Sequence, residues 1–429
     1  MTTISSSEIA KTFENRKDKP LYNTSYPLTP EGWEEYEVSG TLPFDVNRPI
    51  AFYIHIPYCR HLCSFCEYTR TTLHDLSEQE NYIGIVENDI ENFLNKYNDL
   101  TLYGLDIGGG TPTALDDHAF WYLLGTYSYI LSRVKITEDF EPSIEATFQT
   151  LSPIKLGKIF GARIKRISLG IQSTSTNVLT PLNREIISIA EMKGILSEIR
   201  CYDIQKVNID LMYGLPGQTI DILLQDVRTI EQLNPEQVTI YEFRTNQLKS
   251  HFNISQSDCF RFYNFLYDHL IKLGYFAQYG ANTFSRNKED FGLSSYLRHR
   301  MLDGWQYKGF GMSAQSMSKY GVAYNIGKNS KSINKIINES QFYESSRYYR
   351  LPPEELLSKF IAISGYSGGF SIDAAKQIYG LNFEKDFSPI LNYLIKHGLI
   401  FINSNRVQLT NEGMRHYGSI LSLFYPNHK

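Results

Sequence analysis

Cys59-Arg60-His61-Leu62-Cys63-Ser64-Phe65-Cys66 follows closely on the apolar run Ala51–Ile56. The run reads as a buried strand, and the loop behind it sets three soft thiols in a C-x₃-C-x₂-C spacing. The other two cysteines, Cys201 and Cys259, lie far along the chain. Three thiolates crowded into one loop suit an iron–sulfur cluster, whose usual complement is four cysteines. With only three ligands, a cubane keeps one iron open to a small molecule, and an open position is what makes a metal centre catalytic. A structural zinc site is the alternative. His61 or His55 would supply its fourth ligand, although closed zinc sites usually draw on two separated ligand pairs.

Outward from this loop, short β-branched runs alternate with longer amphipathic stretches as far as about Tyr279. The strand candidates are Ala51–Ile56, Leu102–Ile107, Ser143–Thr147, Arg166–Ile171, Val207–Met212 and Gln237–Tyr241. Helical patterns fall at Glu78–Asn95, His118–Leu131, Ile186–Ile199 and Ile220–Leu233. This alternation predicts βα units on a parallel sheet. The fold class is α/β, a (β/α)6 partial TIM-type barrel, with chemistry at the C-terminal ends of the strands. The chain divides into an N-terminal extension (1–48), the catalytic core (49–285), a polar connecting region that completes the core (286–350) and a small C-terminal domain (351–429). In the last, helices near Asp373–Ile378 and Pro389–Lys396 precede short strands Leu399–Ile402 and Arg406–Leu409, a winged-helix-like order. Such shapes often bind nucleic acid, but only His397 and Arg406 add basic character near the wing, so a packing or lid role is expected.

Composition narrows the function classes. A chain of 429 residues with net charge −4 offers no electrostatic case for nucleic acid. Its 31 tyrosines suggest partly wet cavities. Five cysteines, three of them clustered, do not make a secreted disulfide framework. No signal-like start and no apolar run of spanning length are evident, so a cytoplasmic protein without a membrane partner is expected.

Further motifs sit at the expected strand ends. Gly108-Gly109-Gly110-Thr111-Pro112-Thr113 follows the second strand; its turn can bring backbone N–H groups close to a ligand. Glu145 closes the third strand and could accept from an ammonium or a ribose. Gln172 ends the fourth, with Arg184 shortly after. Asp210 stands inside the apolar fifth strand, where an acid needs a partner or a ligand; a buried pair with Arg184 is one option. Tyr213-Gly214-Leu215-Pro216-Gly217-Gln218-Thr219 then turns into a helix on the cavity rim.

Taken together, these residues resemble the radical S-adenosylmethionine superfamily, in the group built around oxygen-independent coproporphyrinogen III oxidase (HemN-like). The resemblance rests on Tyr53–Cys59, the cysteine triad, Gly108–Thr113, Arg166–Gln172, Arg184 and Asn208–Thr219. Tyr22–Pro27 looks like the group's N-terminal segment, and Arg350 to Phe424 like its small terminal domain. The resemblance implies a [4Fe–4S] cluster on Cys59, Cys63 and Cys66, with S-adenosylmethionine on its open iron. It implies cleavage to a 5′-deoxyadenosyl radical that abstracts hydrogen from a small-molecule substrate, with electrons from a reducing donor such as flavodoxin or ferredoxin. By matched position, Tyr53, Gly109 and Glu145 would contact this S-adenosylmethionine. Phe65, Gly110, Thr111, Gln172, Arg184 and Asp210 would contact a second one beside it.

Departures bear on the substrate. The oxidase's fourth cysteine is here Tyr68, and its histidine-proline segment after the sixth strand is Ile240-Tyr241-Glu242-Phe243-Arg244-Thr245-Asn246. Its N-terminal arginine is here Leu21, with Asn23 inserted. The group's haem chaperones carry a histidine-asparagine…tyrosine-tryptophan motif, which His299-Arg300-Met301-Leu302-Asp303-Gly304-Trp305 matches poorly. The branch that fits best is that of the similar methyltransferases, which use the second S-adenosylmethionine as methyl source for a conjugated small molecule. The oxidase and the haem carrier are the alternatives.

Overall fold

The computed structural model describes residues 5–16, 30–73, 75–202, 204–243, 254–327, 346–380 and 382–426. Tyr22–Pro27, Leu21 and Arg244–Asn246 lie outside them. Six strands run parallel in chain order: β1 (Ile50–Ile56), β2 (Thr101–Gly109), β3 (Ser143–Ala146), β4 (Arg166–Gln172), β5 (Lys206–Tyr213) and β6 (Gln237–Glu242). Between them lie α1 (Leu76–Lys96), α2 (Asp117–Arg133), α3 (Pro153–Gly161), α4 (Ile189–Cys201) and α5 (Ile220–Leu233). This is the expected α/β partial barrel, an arc that stays open.

The strands alternate with period two. Phe52, Ile54, Leu105, Ile107, Ile144, Ile167, Leu169, Ile209 and Ile240 are buried, and this apolar parity packs under the helices. Each such side chain contributes about 1.5–3 kcal/mol of burial free energy. The opposite parity is polar: Tyr53, Asp106, Glu145, Ser168, Asp210 and Tyr241. Parallel strands covered on both faces usually read as continuous apolar runs. Here one face lines a cavity instead.

Helix starts follow local chemistry. Asp75 caps α1 by accepting from Glu78 N–H at 3.0 Å. Ser188 and Glu191 form a capping box on α4, so that helix begins at Ile189 and not at Ile186 as the periodicity suggests. Helix α3 was not anticipated, although Ser152 caps it and Pro153 opens it.

The 286–350 stretch carries more strand than its polar composition suggests. Tyr307–Phe310 pairs parallel with β1, and Gln315–Ser318, Gly321–Tyr324 and Arg347–Tyr349 extend the sheet antiparallel to the short strand Glu37–Val38. At the far edge Thr283–Ser285 pairs antiparallel with β6. The segment from Ser294 to Trp305 plugs the cavity floor. A Cβ on Gly104 would lie 2.4 Å from Tyr296 N, so glycine is needed for that approach. The Tyr296 ring stacks on Tyr53 with centroids 6.0 Å apart.

The C-terminal part has the winged order: helix Pro353–Ser364, strand Gly369–Ser371, helices Ile372–Tyr379 and Phe383–Lys396, and the hairpin Ile400–Asn403 with Arg406–Leu409. The strand Gly369–Ser371 was not expected. The helix expected at Pro389 starts six residues earlier, with Pro389 inside it. Pro389 cannot donate to the Lys385 carbonyl, and the Ser388 hydroxyl does so at 3.2 Å. Arg406 turns inward to donate to Ser367 Oγ at 3.1 Å. The N-terminal helix Ser6–Arg16 packs here through Phe13, edge-on to Tyr393 and His416.

Candidate active site

The cysteine loop is held from three sides. Ser64 N–H donates to Leu182 O and the Asn183 amide to Leu62 O, both at 3.0 Å. Asn183 adopts the left-handed conformation (φ 54°), tolerable for asparagine, and so ends the turn that delivers Arg184. Arg70 donates to Cys63 O at 2.5 Å. Cys59 and Cys63 are buried, Cys66 half-buried, and all three are free thiols. Thr111 Oγ1 lies 3.7 Å from Cys59 Sγ, and Arg184 Nη1 lies 3.7 Å from Cys63 Sγ.

This donor set fits a cubane. Burial pushes the Cys59 thiol up to about 11, with Cys66 and Cys63 adding repulsion, and burial raises Cys66 too. Thiolates here need a bound cation to form. Among the described residues no group of three or more His, Cys, Asp or Glu is gathered to hold one metal ion. A cubane offers each thiolate its own iron. Nor are the histidines poised as a fourth ligand. His55 Nε2 is spent on Thr69 O at 2.8 Å, and burial holds the ring neutral, down to about 4. His61 is exposed, 3.7 Å from Glu185.

The glycine run does something other than offer free amides. Gly109 N–H donates to Glu145 Oε2 at 2.9 Å, Gly110 N–H to Ile56 O and Thr111 N–H to Tyr58 O, both at 2.7 Å. A Cβ on Gly108 would meet the Glu145 carboxyl carbon at 2.5 Å, and one on Gly110 would meet Tyr58 O at 2.6 Å. The glycines let the cysteine loop and Glu145 close onto β2. What this corner presents to a ligand is the Glu145 carboxylate.

Glu145 is pushed up to about 7, first by burial, then against the Gly109 N–H and with repulsion from Asp210. Asp210 is raised too, again mainly by burial. It accepts from Asn208 Nδ2 at 2.7 Å and Ser168 Oγ at 3.1 Å. The pair with Arg184 does not form: that guanidinium donates to Gly170 O and leans on Cys63. Gln172 sits at a β-bulge with φ 68°, a strained position for a non-glycine residue, and its amide lies beside Gly170 near Arg184. Phe65 packs on Val178, Leu182, Met212, Leu215 and Phe243. Tyr53 OH lies 3.4 Å from His55 Nδ1.

Four further residues face the cavity that motif reading did not assign to the site: Tyr68, Asp106, Arg166 and Tyr241. Strand parity was the available signal, since Asp106 stands two before Gly108 and Arg166 two before Ser168. Arg166 is buried, donating to Gln237 Oε1 at 2.7 Å and Ser143 Oγ at 3.0 Å. Burial lifts Asp106 to about 7; Ser294 Oγ donates to its Oδ2 at 2.6 Å, while Oδ1 is enclosed without a partner. The terminal domain reaches this end through Tyr417 OH, which donates to Glu242 at 3.3 Å. A separate cavity of about 200 Å³, between Arg48, Trp305, Met317, Lys319 and Ile378, lies at the N-terminal strand ends and holds none of these groups.

The profile of the family described as "Radical SAM superfamily" matches residues 53–230, which span the triad and β1 to β5. The chain therefore carries a radical SAM domain, and over most of its length it is similar to HemN-like proteins. The heme chaperone HemW of Bacillus subtilis (strain 168) is 24% identical over 84% of this chain and 95% of its own. The oxygen-independent coproporphyrinogen III oxidase of Salmonella typhimurium is 25% identical, covering 92% and 90%. HemW of Buchnera aphidicola is closer in identity, 33%, but the match spans 45% of this chain and half of that relative. Among solved structures, coproporphyrinogen III oxidase (HemN) from Escherichia coli superposes with TM-score 0.72 at 22% identity, covering 88% and 90%, a likeness of fold. The radical SAM family implies a [4Fe–4S] cluster and S-adenosylmethionine. No helix among the described residues is long and apolar enough to cross a membrane.

Proposed function

We propose that the protein is a radical SAM methyltransferase, or a related carbon–carbon bond former, that uses two S-adenosylmethionine molecules on a conjugated small molecule. One observation carries this reading. Glu145 and Asp210 lie within electrostatic reach of each other in one cavity, and neither is ion-paired among the described residues. One S-adenosylmethionine brings one ammonium, and a second accounts for the second carboxylate.

When bound, the cluster and S-adenosylmethionine would supply a 5′-deoxyadenosyl radical. The chain's own residues do the rest. Cys59, Cys63 and Cys66 would hold the cluster, with the Thr111 hydroxyl and Arg184 guanidinium beside two of the sulfurs as donors that tune it. Tyr53, Gly109 and Glu145 would seat the first S-adenosylmethionine, an ammonium drawing the Glu145 proton off. Phe65, Gly110, Thr111, Gln172, Arg184 and Asp210 would seat the second. Electrons would come from a reducing donor such as flavodoxin or ferredoxin.

The test is anaerobic turnover with methyl-labelled S-adenosylmethionine and candidate substrates. Label appearing in product supports the reading. Label confined to methionine, with carbon dioxide released from a porphyrinogen, would assign oxidase activity. Tight haem binding without 5′-deoxyadenosine would assign a carrier, although His299 is tied to Asp139 and Asp303 and stacked on Trp305 at 4.2 Å.

A further inference from the structure

Helix α5 carries a carboxylate that none of the roles above uses. Asp226 is 1% exposed, and no cation pairs with it among the described residues. Its hydrogen bonds gather the turn that leaves β4. Ser173 Oγ donates to Asp226 Oδ2 at 3.0 Å, Thr174 N–H to Oδ1 at 2.6 Å and Thr174 Oγ1 to Oδ1 at 2.7 Å. Ser173 Oγ in turn accepts from Ser175 N–H at 3.2 Å. A buried carboxyl is costly to keep, and burial lifts this one to about 6 against the donors of Thr174, Ser173 and Gln218.

The turn it gathers is strained. Ser173 N–H donates to Ile171 O at 2.9 Å, closing a three-residue turn around Gln172, whose φ is 68°. Positive φ at the centre marks the rare form of the γ-turn. A residue other than glycine stays in such a conformation only where its surroundings over-determine it. Packing leaves the turn some room, since a void of about 10 Å³ lies beside Gly170, Ile171, Ser173 and Thr174. The Asp226 carboxylate supplies the restraint.

What the turn fixes reaches the cysteine loop. The Gln172 side chain folds back over Gly170, where a Cβ would lie 2.7 Å from Gln172 Nε2 and 3.3 Å from Arg184 Nη2. Arg184 donates to Gly170 O and stands 3.7 Å from Cys63 Sγ. The residues just before it hold the same loop: Leu182 O accepts from Ser64 N–H and the Asn183 amide donates to Leu62 O, both at 3.0 Å. A shift of the backbone between Gly170 and Gln172 would therefore move a cation on Cys63.

We propose that Asp226 is a positioning residue: by holding the turn at Gln172 in its strained form, it sets where Arg184 and the Gln172 amide stand beside the cysteine loop. It acts through the turn and not by contact with a ligand. The inference rests on the reading of the triad as a cluster site for its function, while the geometry is testable without a cluster.

The experiment is hydrogen–deuterium exchange of the full-length apoprotein, read by mass spectrometry, with electron paramagnetic resonance of the reconstituted protein beside it. Asp226→Ala should speed exchange about tenfold in residues 170–176, the scale of one lost hydrogen bond to a charged group. A smaller rise should appear in residues 179–184 and 62–66, with α1 and β6 unchanged. Asp226→Asn keeps an acceptor oxygen for Thr174 and should stay near the wild type. Thr174→Val keeps the shape and loses one donor, so it should fall between, and it decides the matter if Asp226→Ala does not fold. After reconstitution, Asp226→Ala should keep its iron and show a changed reduced-cluster signal, because the donor beside Cys63 has moved. Faster exchange confined to residues 170–176, with an unchanged cluster signal, would overturn the inference, since Asp226 would then serve the turn alone. So would a rise shared equally by α1 and β6, which marks general destabilisation. Wild-type protein that takes up no iron would refute the cluster reading, and the exchange pattern of the apoprotein would still decide the role of Asp226.

Discussion

On the outside of β1 to β6, Ile54, Ile107, Ile144, Ile167, Ile209 and Ile240 are fully covered. One residue away in each strand, on the inside, stand Tyr53, Asp106, Glu145, Ser168, Asp210 and Tyr241. The two faces share a backbone and divide the work. The outer face contributes stability through apolar burial. The inner face gives up some of that stability, because its carboxyls are raised by burial and repel one another. Groups that cost stability in the free protein are the ones a cationic ligand would relieve.

Substitutions on the two faces should therefore fail in different ways. The largest effect belongs to the cysteine loop: Cys63→Ala should abolish cluster iron and all 5′-deoxyadenosine while circular dichroism and the unfolding midpoint hardly change. Iron and sulfide assays with product chromatography check it, and turnover in that variant would break the division. On the outer face, Ile209→Ala should leave iron loading intact but cost about 2–5 kcal/mol in denaturant unfolding. A loss of chemistry without loss of stability there would contradict the comparison.

A third prediction concerns pH. Asp106 and Glu145 sit at about 7 in the fold, well above their ordinary 3.8 and 4.5. A carboxyl raised by folding stabilises while it is protonated, and that contribution is lost as pH rises through the folded value. The apoprotein should thus lose stability between about pH 4 and 7, by up to about 1.4 kcal/mol per unit for each group, less for the open Glu145. Asp106→Asn should flatten the slope, read from unfolding midpoints across that range. The smallest effect is far from both faces: Ser188→Ala removes the α4 capping box and should cost about 1 kcal/mol with the cavity's properties unchanged.

Much of the architecture was legible because its signals are local. Short β-branched runs marked all six strands, and Ile220–Leu233 coincides with α5. The triad is a spacing within eight residues, readable without any fold. Some strand was legible in 286–350 but not its bounds, because edge and antiparallel pieces such as Gln315–Ser318 are polar and short, with no apolar period to mark them. Helix α3 escaped for want of length. Two readings of the site changed for the same kind of reason. The amides of Gly109, Gly110 and Thr111 and the guanidinium of Arg184 found partners within the protein that no spacing announces.

The amino-acid sequence alone determined the thiol loop, the glycine run behind β2 and the inward parity of Glu145 and Asp210, since each depends on neighbours a few residues apart. Only tertiary structure decided which groups meet: Arg184 with Cys63 rather than Asp210, and Gly109 with Glu145. Those meetings follow from how strongly the sheet curls and from which buried donors and acceptors must be satisfied, and both are properties of the whole packed chain.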